Sequence, residues 1–213
     1  MIKVFMESKA IISAVLNFDR EKTVQLVQAC LEQGTDALAI LDQALISAMD
    51  EVGRRFRKGI FFVPEMLMAA DAMQAGLEIL RPYLASSDIK AKGTIIIGTV
   101  KGDIHDIGKN LVAMMLECAG FNVIDLGVDV SKGRFLAAAK KYKAHIVAFS
   151  ALLTTTLAEM EAAVTAVRNT GGGLKTLVGG APVTAFFADK IGADGYSPDA
   201  AGAVGVARNL IVT

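Results

Sequence analysis

Apolar positions follow two different periods along this chain. Leu38, Leu41, Leu45, Met49, Val52 and Phe56 recur at steps of three and four residues. Leu67, Ala70, Met73 or Gln74, Leu77, Leu80 and Leu84 do nearly the same. Such spacing lays an apolar stripe along one side of a helix and predicts packing in a bundle. Stop and start signals agree. Gly34 ends one helix and Thr35 can cap the next; Gly59 ends the third, and Pro64 suits the first turn of the fourth. With helices over 8–17 and 20–33, residues 1–86 read as an all-α four-helix bundle. The segment 87–92 is polar and aperiodic and reads as a linker.

From residue 93 the period shortens. TIIIGTV (94–100), NVIDLG (122–127), HIVAFSA (145–151), KTLVGG (175–180) and ADGYS (193–197) are short β-rich runs. Helix-like segments over 107–119, 132–142, 156–170, 183–190 and 199–211 separate them. Alternation of short apolar strands with helices predicts βαβ units and a buried sheet. Residues 93–213 are therefore expected to form an α/β doubly wound, Rossmann-like domain on a parallel five-stranded sheet. Ligands of such sheets bind at the carboxyl ends of the strands.

Composition acts mainly by exclusion. Lys plus Arg equals Asp plus Glu, at 22 each. A balanced chain makes no electrostatic case for nucleic acid or an anionic membrane as partner. Cys30 and Cys118 lie far apart without a CxxC, which argues against a disulfide framework and a structural zinc site. Both fall on apolar faces of predicted helices, as buried free thiols do. Lys3, Glu7 and Lys9 break the N-terminal apolar run. No stretch of about 18 apolar residues occurs, so no membrane span is predicted. A cytoplasmic protein is expected.

Candidate chemistry sits in TVKGDIHDIGKN, residues 99–110. Strand one ends near Val100 and a helix follows, so His105 lies at the carboxyl edge of the sheet. Asp103 is two residues earlier. If the loop turns back, its carboxylate can bind one imidazole nitrogen and leave the other facing the cleft. A carboxylate in that position fixes the tautomer and raises the basicity of a metal-binding imidazole. A polar turn, with Asp106 capping the next helix, is the other reading of the same residues. The loop lacks GxGxxG and a Walker lysine pattern. One His without a Cys or a second nearby His does not make a zinc site. A lone imidazole suits a cofactor that brings most of its own ligands, as a corrin does. His145 opens strand three, shows none of this pattern and reads as structural.

GDIHDIGKN, DLGVDV, SALLTTT and VGGAPV together resemble the cobalamin-binding domain of methionine synthase and of the corrinoid proteins of anaerobic methyltransferase systems. VGRRFRKGIFFVPEM, at 52–66, is similar to that family's helical cap. The resemblance covers nearly the whole chain and assigns roles. It implies cobalamin as cofactor, with His105 as lower axial ligand to cobalt in place of the cofactor's own dimethylbenzimidazole. Asp103 would hold the other nitrogen of His105. Thr156 stands where methionine synthase completes the relay with a serine; Thr156 and Glu159 also spell a capping box. Ser150 and Thr154 match residues that contact the displaced base or its tail. Gly179 and Gly180 would let the nucleotide tail approach the backbone, or simply form a strand–loop turn. Asp106, Ile107 and Gly108 would line the corrin-facing loop. Gly102, Ile104 and Leu152 join the cofactor-binding set, and Ala200 falls where the family touches the tail. In the cap, Phe56 and Val63 match apolar residues over the upper face of the corrin. A glutamate of the methionine synthase cap aligns near Asp42, and its role is not carried across.

The resemblance further implies a methyl carrier, not catalytic alone, whose cobalt alternates between Co(I) and methyl-Co(III). Its expected partners are a substrate-specific methyltransferase, a methyltransferase for a folate or thiol acceptor, and a reductive activator. The competing classes are the cobalamin-binding subunit of an adenosylcobalamin mutase, a cobalamin-responsive sensor and a storage protein.

Overall fold

The computed structural model describes residues 2–85 and 92–212. The chain divides into two compact units, Met1–Lys90 and Ala91–Thr213. Of the expected linker 87–92, all but Lys92 lies outside the described residues.

The first unit is helical: α1 (Ile2–Leu16), α2 (Arg20–Glu32), α3 (Ala37–Ile40), α4 (Ser47–Arg57) and α5 (Val63–Ala85). A π-helical stretch, Leu41–Ile46, joins α3 to α4. Val15, Val27, Leu45, Met49, Val52, Met66, Met73 and Leu80 are buried. The predicted stripe holds through Leu45, Met49 and Val52, but Leu38 is exposed and Phe56 is half-buried. The π turn explains the break at Leu38. It takes more residues per turn than an α-helix, so the inward face before it is offset. Ala37 and Ile40 point inward there instead. Asp36, not Thr35, caps α3 by accepting from the Ala39 N–H at 3.0 Å. Gly34 and Gly59 end their helices at φ +81° and +67°, as their positions predict. α1 starts at Ile2, before the predicted residue 8, because no helix breaker interrupts the run. The Arg55 hydrogen bond to Glu51 holds that carboxyl below its usual range, with Arg54 also bonded to it. Arg55 also lies over the ring of Phe61, which packs on Phe18. Phe61 therefore turns inward, and Phe62, next in sequence, is left 63% exposed.

The second unit alternates β1 (Thr94–Thr99), α6 (Ile107–Cys118), β2 (Asn122–Asp125), α7 (Lys132–Tyr142), β3 (Ile146–Ser150), α8 (Leu157–Arg168), β4 (Lys175–Gly179), α9 (Ala185–Ile191), β5 (Gly195–Tyr196) and α10 (Ala200–Val212). All strand pairs are parallel, in the order β2-β1-β3-β4-β5. α6 packs on α10, and α7 on α8. Ile96, Val147, Phe149 and Val178 of the sheet meet Phe135, Met160 and Val164 of α7 and α8 in one core. Gly98 makes room for this packing: a Cβ there would stand 2.9 Å from the ring of Phe135. Phe135 in turn meets Phe149 edge-on at 4.7 Å. His145 lies at the amino edge, where its Nδ1 accepts from the Thr94 N–H at 3.1 Å.

Among the described residues no helix is long and apolar enough to cross a membrane. Both cysteines are buried and outside any disulfide, and burial pushes the Cys118 thiol up to about 12. α7 ends on Lys143, held at φ +50°. A side chain is strained there and glycine is not. Lys143→Gly is therefore expected to stabilise the protein by about 0.5 kcal/mol, the lost strain being partly offset by the freer unfolded chain. Urea unfolding of the two proteins measures it.

Candidate functional site

Strand order reverses between β1 and β3, which opens a crevice at their carboxyl ends. Thr99, Ser150 and Gly179 stand in register across that edge on β1, β3 and β4. The loops that leave these three strands carry most of the predicted site.

Past β1 the chain turns through Gly102, at φ +83°, and drops Asp103 into full burial. Both carboxylate oxygens of Asp103 are saturated. Oδ1 accepts from the His105 N–H at 3.1 Å and lies 2.7 Å from His105 Nδ1. Oδ2 accepts from the N–H groups of Leu152 and Leu153, at 2.7 and 3.1 Å, and lies 3.2 Å from Thr156 Oγ1. Burial alone would push this carboxyl up. The Leu152, His105 and Leu153 hydrogen bonds outweigh it and hold Asp103 well below the usual carboxylate range.

An ionised carboxylate that only accepts hydrogen bonds fixes the His105 tautomer. The proton belongs on Nδ1, and the Nε2 lone pair is left for a ligand. The buried Thr99 hydroxyl fixes the backbone of His105 by donating to its carbonyl at 2.8 Å. The ring itself stays 47% exposed. Ile104 and Ile107, exposed by 75% and 83%, flank it in sequence, and Leu152 and Leu153 are exposed on the loop that binds Asp103. One imidazole with apolar side chains around it fits a broad, mostly apolar macrocycle that lacks one axial donor. Among the described residues no group of three or more His, Cys, Asp or Glu could hold a metal ion.

Thr156 is buried and precedes α8, yet its side chain does not cap that helix. The capping-box geometry of Thr156 and Glu159 is absent. Its hydroxyl lies 2.9 Å from the Leu153 carbonyl and 3.2 Å from Asp103 Oδ2, so one proton has two acceptors to choose between. Asp106 occupies the N-cap position of α6 but accepts from Asn110 Nδ2 at 3.2 Å rather than from the helix backbone. The polar-turn reading of Asp106 as a cap therefore does not describe its side chain.

The remaining residues are placed as follows. Ser150 is half-buried at the end of β3, and Thr154 is exposed in the turn before α8. Gly108 is in open space. Gly180 has φ +128°, and a Cβ there would lie 1.9 Å from the Ala151 carbonyl oxygen. Its lack of a side chain is thus already required by the crossing backbone. Gly179 is looser, with Ser197 O 3.1 Å from its Cβ position. Ala200 opens α10 and is buried. Phe56 and Val63 belong to the helical unit, where Val63 is exposed along with Ile60, Phe62, Leu67 and Met68. Of that exposed group Val63 is an expected site residue, whereas Leu67 was expected on the inward stripe and lies exposed instead.

The same reading missed further residues. Thr99 carries a faint signal, a polar side chain inside an apolar strand. Lys109 is 2% exposed and binds both Asn110 Oδ1, at 2.6 Å, and the Asp125 carboxylate. In the sequence it stands within GDIHDIGKN without a role of its own. The Leu152 and Leu153 N–H groups have no sequence signal, because every residue but proline has one.

Fold and site together define a cofactor-binding α/β domain preceded by a helical unit. Residues 93–205 match the family described as B12 binding domain, and residues 8–81 match a second model with the same description. Trimethylamine corrinoid protein 1 of Methanosarcina mazei is 44% identical over 191 residues, 88% of either chain. Dimethylamine corrinoid protein 1 of the same organism is 39% identical over 202 residues, 93% of either chain. Among solved structures, a chain of the methanol:cobalamin methyltransferase complex MtaBC from Methanosarcina barkeri superposes with a TM-score of 0.85. It is 33% identical, with 97% of this chain and 80% of that one covered. A cobalamin-binding protein from Desulfitobacterium hafniense DCB-2 gives a TM-score of 0.82 at 30% identity, covering 95% and 98%. The chain belongs to the family of B12-binding corrinoid proteins, the family its motifs resemble.

Proposed function

We propose that the protein carries methyl groups on a bound corrinoid, with His105 as the lower axial ligand to cobalt. The observation behind this reading is the outward-facing Nε2 of His105, oriented through Nδ1 by a buried carboxylate at the carboxyl edge of β1. When bound, the corrin would supply a cobalt centre able to take up and give up a methyl group. The protein's residues do the rest. Asp103 keeps the proton on Nδ1 while Nε2 serves as a ligand. The Thr156 hydroxyl has two acceptors, Leu153 O and Asp103 Oδ2, and can add or withdraw a hydrogen bond as His105 binds or leaves the metal. Gly102, Ile104, Asp106, Ile107, Gly108 and Leu152 bind the corrin. Ser150, Thr154, Gly179, Gly180 and Ala200 surround the displaced base and its tail. Phe56 and Val63, with the exposed Phe62 and Leu67, present apolar surface that keeps water from the reactive face.

This reading implies a division of labour. A substrate-specific methyltransferase loads the methyl group, a second one passes it to a folate or thiol, and a reductive activator restores the carrier after oxidation. The MtaBC likeness supports the first of these partners.

The test is spectroscopic. The protein is loaded with cobalamin, reduced to Co(II) and examined by EPR with histidine labelled by nitrogen-15. The hyperfine pattern is expected to change from a nitrogen-14 triplet to a nitrogen-15 doublet, and His105→Ala to abolish the response. A pattern indifferent to the label overturns His105 ligation.

A further inference from the structure

We propose that Asp129, in the loop between β2 and α7, is a positioning residue that sets whether His105 ligates. The inference rests on the reading of His105 as the cobalt ligand. Asp129 has φ +52°, a backbone conformation that glycine adopts more cheaply than any other residue. Its side chain accounts for the exception. Asp129 Oδ1 accepts from the Gly102 N–H at 2.7 Å, and the Asp129 N–H donates to the Asp103 carbonyl at 3.0 Å. Asp129 thereby grips the two residues that begin the turn to His105, one through its side chain and one through its main chain.

The rest of the loop extends the grip. The Val130 N–H donates to the Thr99 carbonyl at 2.9 Å, and Thr99 donates its hydroxyl to the carbonyl of His105. Asp125 Oδ1 accepts from the Gly127 N–H at 2.8 Å, while Oδ2 takes the buried ammonium of Lys109 at the start of α6. Residues 125–130 thus hold the chain on both sides of His105. The Asp103 carboxylate is pinned from the opposite side by Leu152 and Leu153. Ring orientation depends on both restraints, because the imidazole hangs from a carboxylate whose own backbone Asp129 holds. Without the Asp129 carboxylate the Gly102 N–H loses its acceptor, and from this side the Asp103 to His105 turn is held only by the Asp129 N–H and the Thr99 hydroxyl.

Two substitutions separate this role from simple support of the fold. Asp129→Gly keeps the left-handed backbone and removes the acceptor. Asp129→Asn tolerates the same backbone and keeps an acceptor oxygen. In the full-length apoprotein, amide exchange at Gly102 is expected to quicken about tenfold in the glycine variant and to stay near parental in the asparagine variant. After loading with cobalamin and reduction to Co(II), EPR with nitrogen-15 histidine should show a substantial histidine-free population in Asp129→Gly. Asp129→Asn should show only histidine-bound cobalt, like the parent. Parental behaviour of Asp129→Gly in both measurements overturns the inference, as does an asparagine variant that fails as fully as the glycine one. If the parent itself shows no histidine splitting, the ligation reading falls and takes this inference with it. Histidine splitting in parent and Asp129→Gly alike overturns this inference alone.

Discussion

Asp103→Ala is expected to be the most damaging single substitution in the α/β unit, lowering its stability by about 3–5 kcal/mol. The carboxylate collects hydrogen bonds from the Leu152 and Leu153 N–H groups, the N–H and ring of His105, and the Thr156 hydroxyl. Removing it leaves backbone donors without an acceptor, and each buried orphan costs about 1–3 kcal/mol. It also cuts a side-chain link between the loops that leave β1 and β3. Asparagine is a poor rescue, since one of the two acceptor oxygens becomes an NH2 group pointed at N–H donors. Urea unfolding measures the loss. The same measurement carries a pH signature. A carboxyl whose folded value is depressed stabilises the protein fully above its ordinary value, 3.8, and loses that contribution as pH falls through the folded value. The parent should therefore lose more stability than Asp103→Ala between neutral pH and the acid range, and the two curves should converge below pH 3.8. Parallel curves would mean that the carboxylate is not held as its hydrogen bonds indicate. In the cobalamin-loaded protein the same variant should leave His105 with a mobile ring and a mixed histidine-bound and histidine-free EPR spectrum.

Gly180→Ala is expected to be nearly as costly, about 2–4 kcal/mol, by a different route. The added Cβ would stand 1.9 Å from the Ala151 oxygen and 2.9 Å from its carbonyl carbon. Both obstacles are backbone, so no rotamer change relieves the clash, and φ +128° disfavours any side chain. One of the two loops must move. Ala151 leads directly into Leu152 and Leu153, so a displaced Ala151 pulls their N–H groups from Asp103. Gly180→Ala should therefore lower stability and also reduce the histidine-bound fraction of Co(II), although residue 180 does not touch His105. Gly205→Ala on α10 is the control, because nothing lies within 4 Å of its Cβ position and it stands outside the assigned cofactor set. A control as damaging as Gly180→Ala would remove the clash as the explanation.

Much of this was legible in the chain. The switch from a three-to-four-residue period to short β-rich runs located both units, since burial on one face of a helix or inside a parallel sheet imposes those spacings on apolar residues. The His105 loop was legible because polar residues cluster at the end of a strand, where a doubly wound sheet presents its ligands. The errors are local. Leu38 was assigned to the bundle stripe because a straight α-helix was assumed, and the π turn at Leu41–Ile46 offset the face. Thr35 was preferred to Asp36 because both are capping residues and spacing alone does not separate them.

The sequence by itself determined the elements, their order, the family and which histidine is the candidate ligand, because these depend on periodicity, turn residues and contiguous motifs. Tertiary structure alone decided what holds Asp103, the carboxylate expected to orient that histidine. Asp103 is two residues from His105 but 49 from Leu152 and 53 from Thr156, and the pairing of β1 with β3 is what brings those donors to its second oxygen. Asp129, 27 residues past Gly102, arrives by the same means, through β1 and β2. The hydrogen bonds that hold the site run through backbone groups shared by nearly every residue, so only the register of the sheet selects which of them face Asp103.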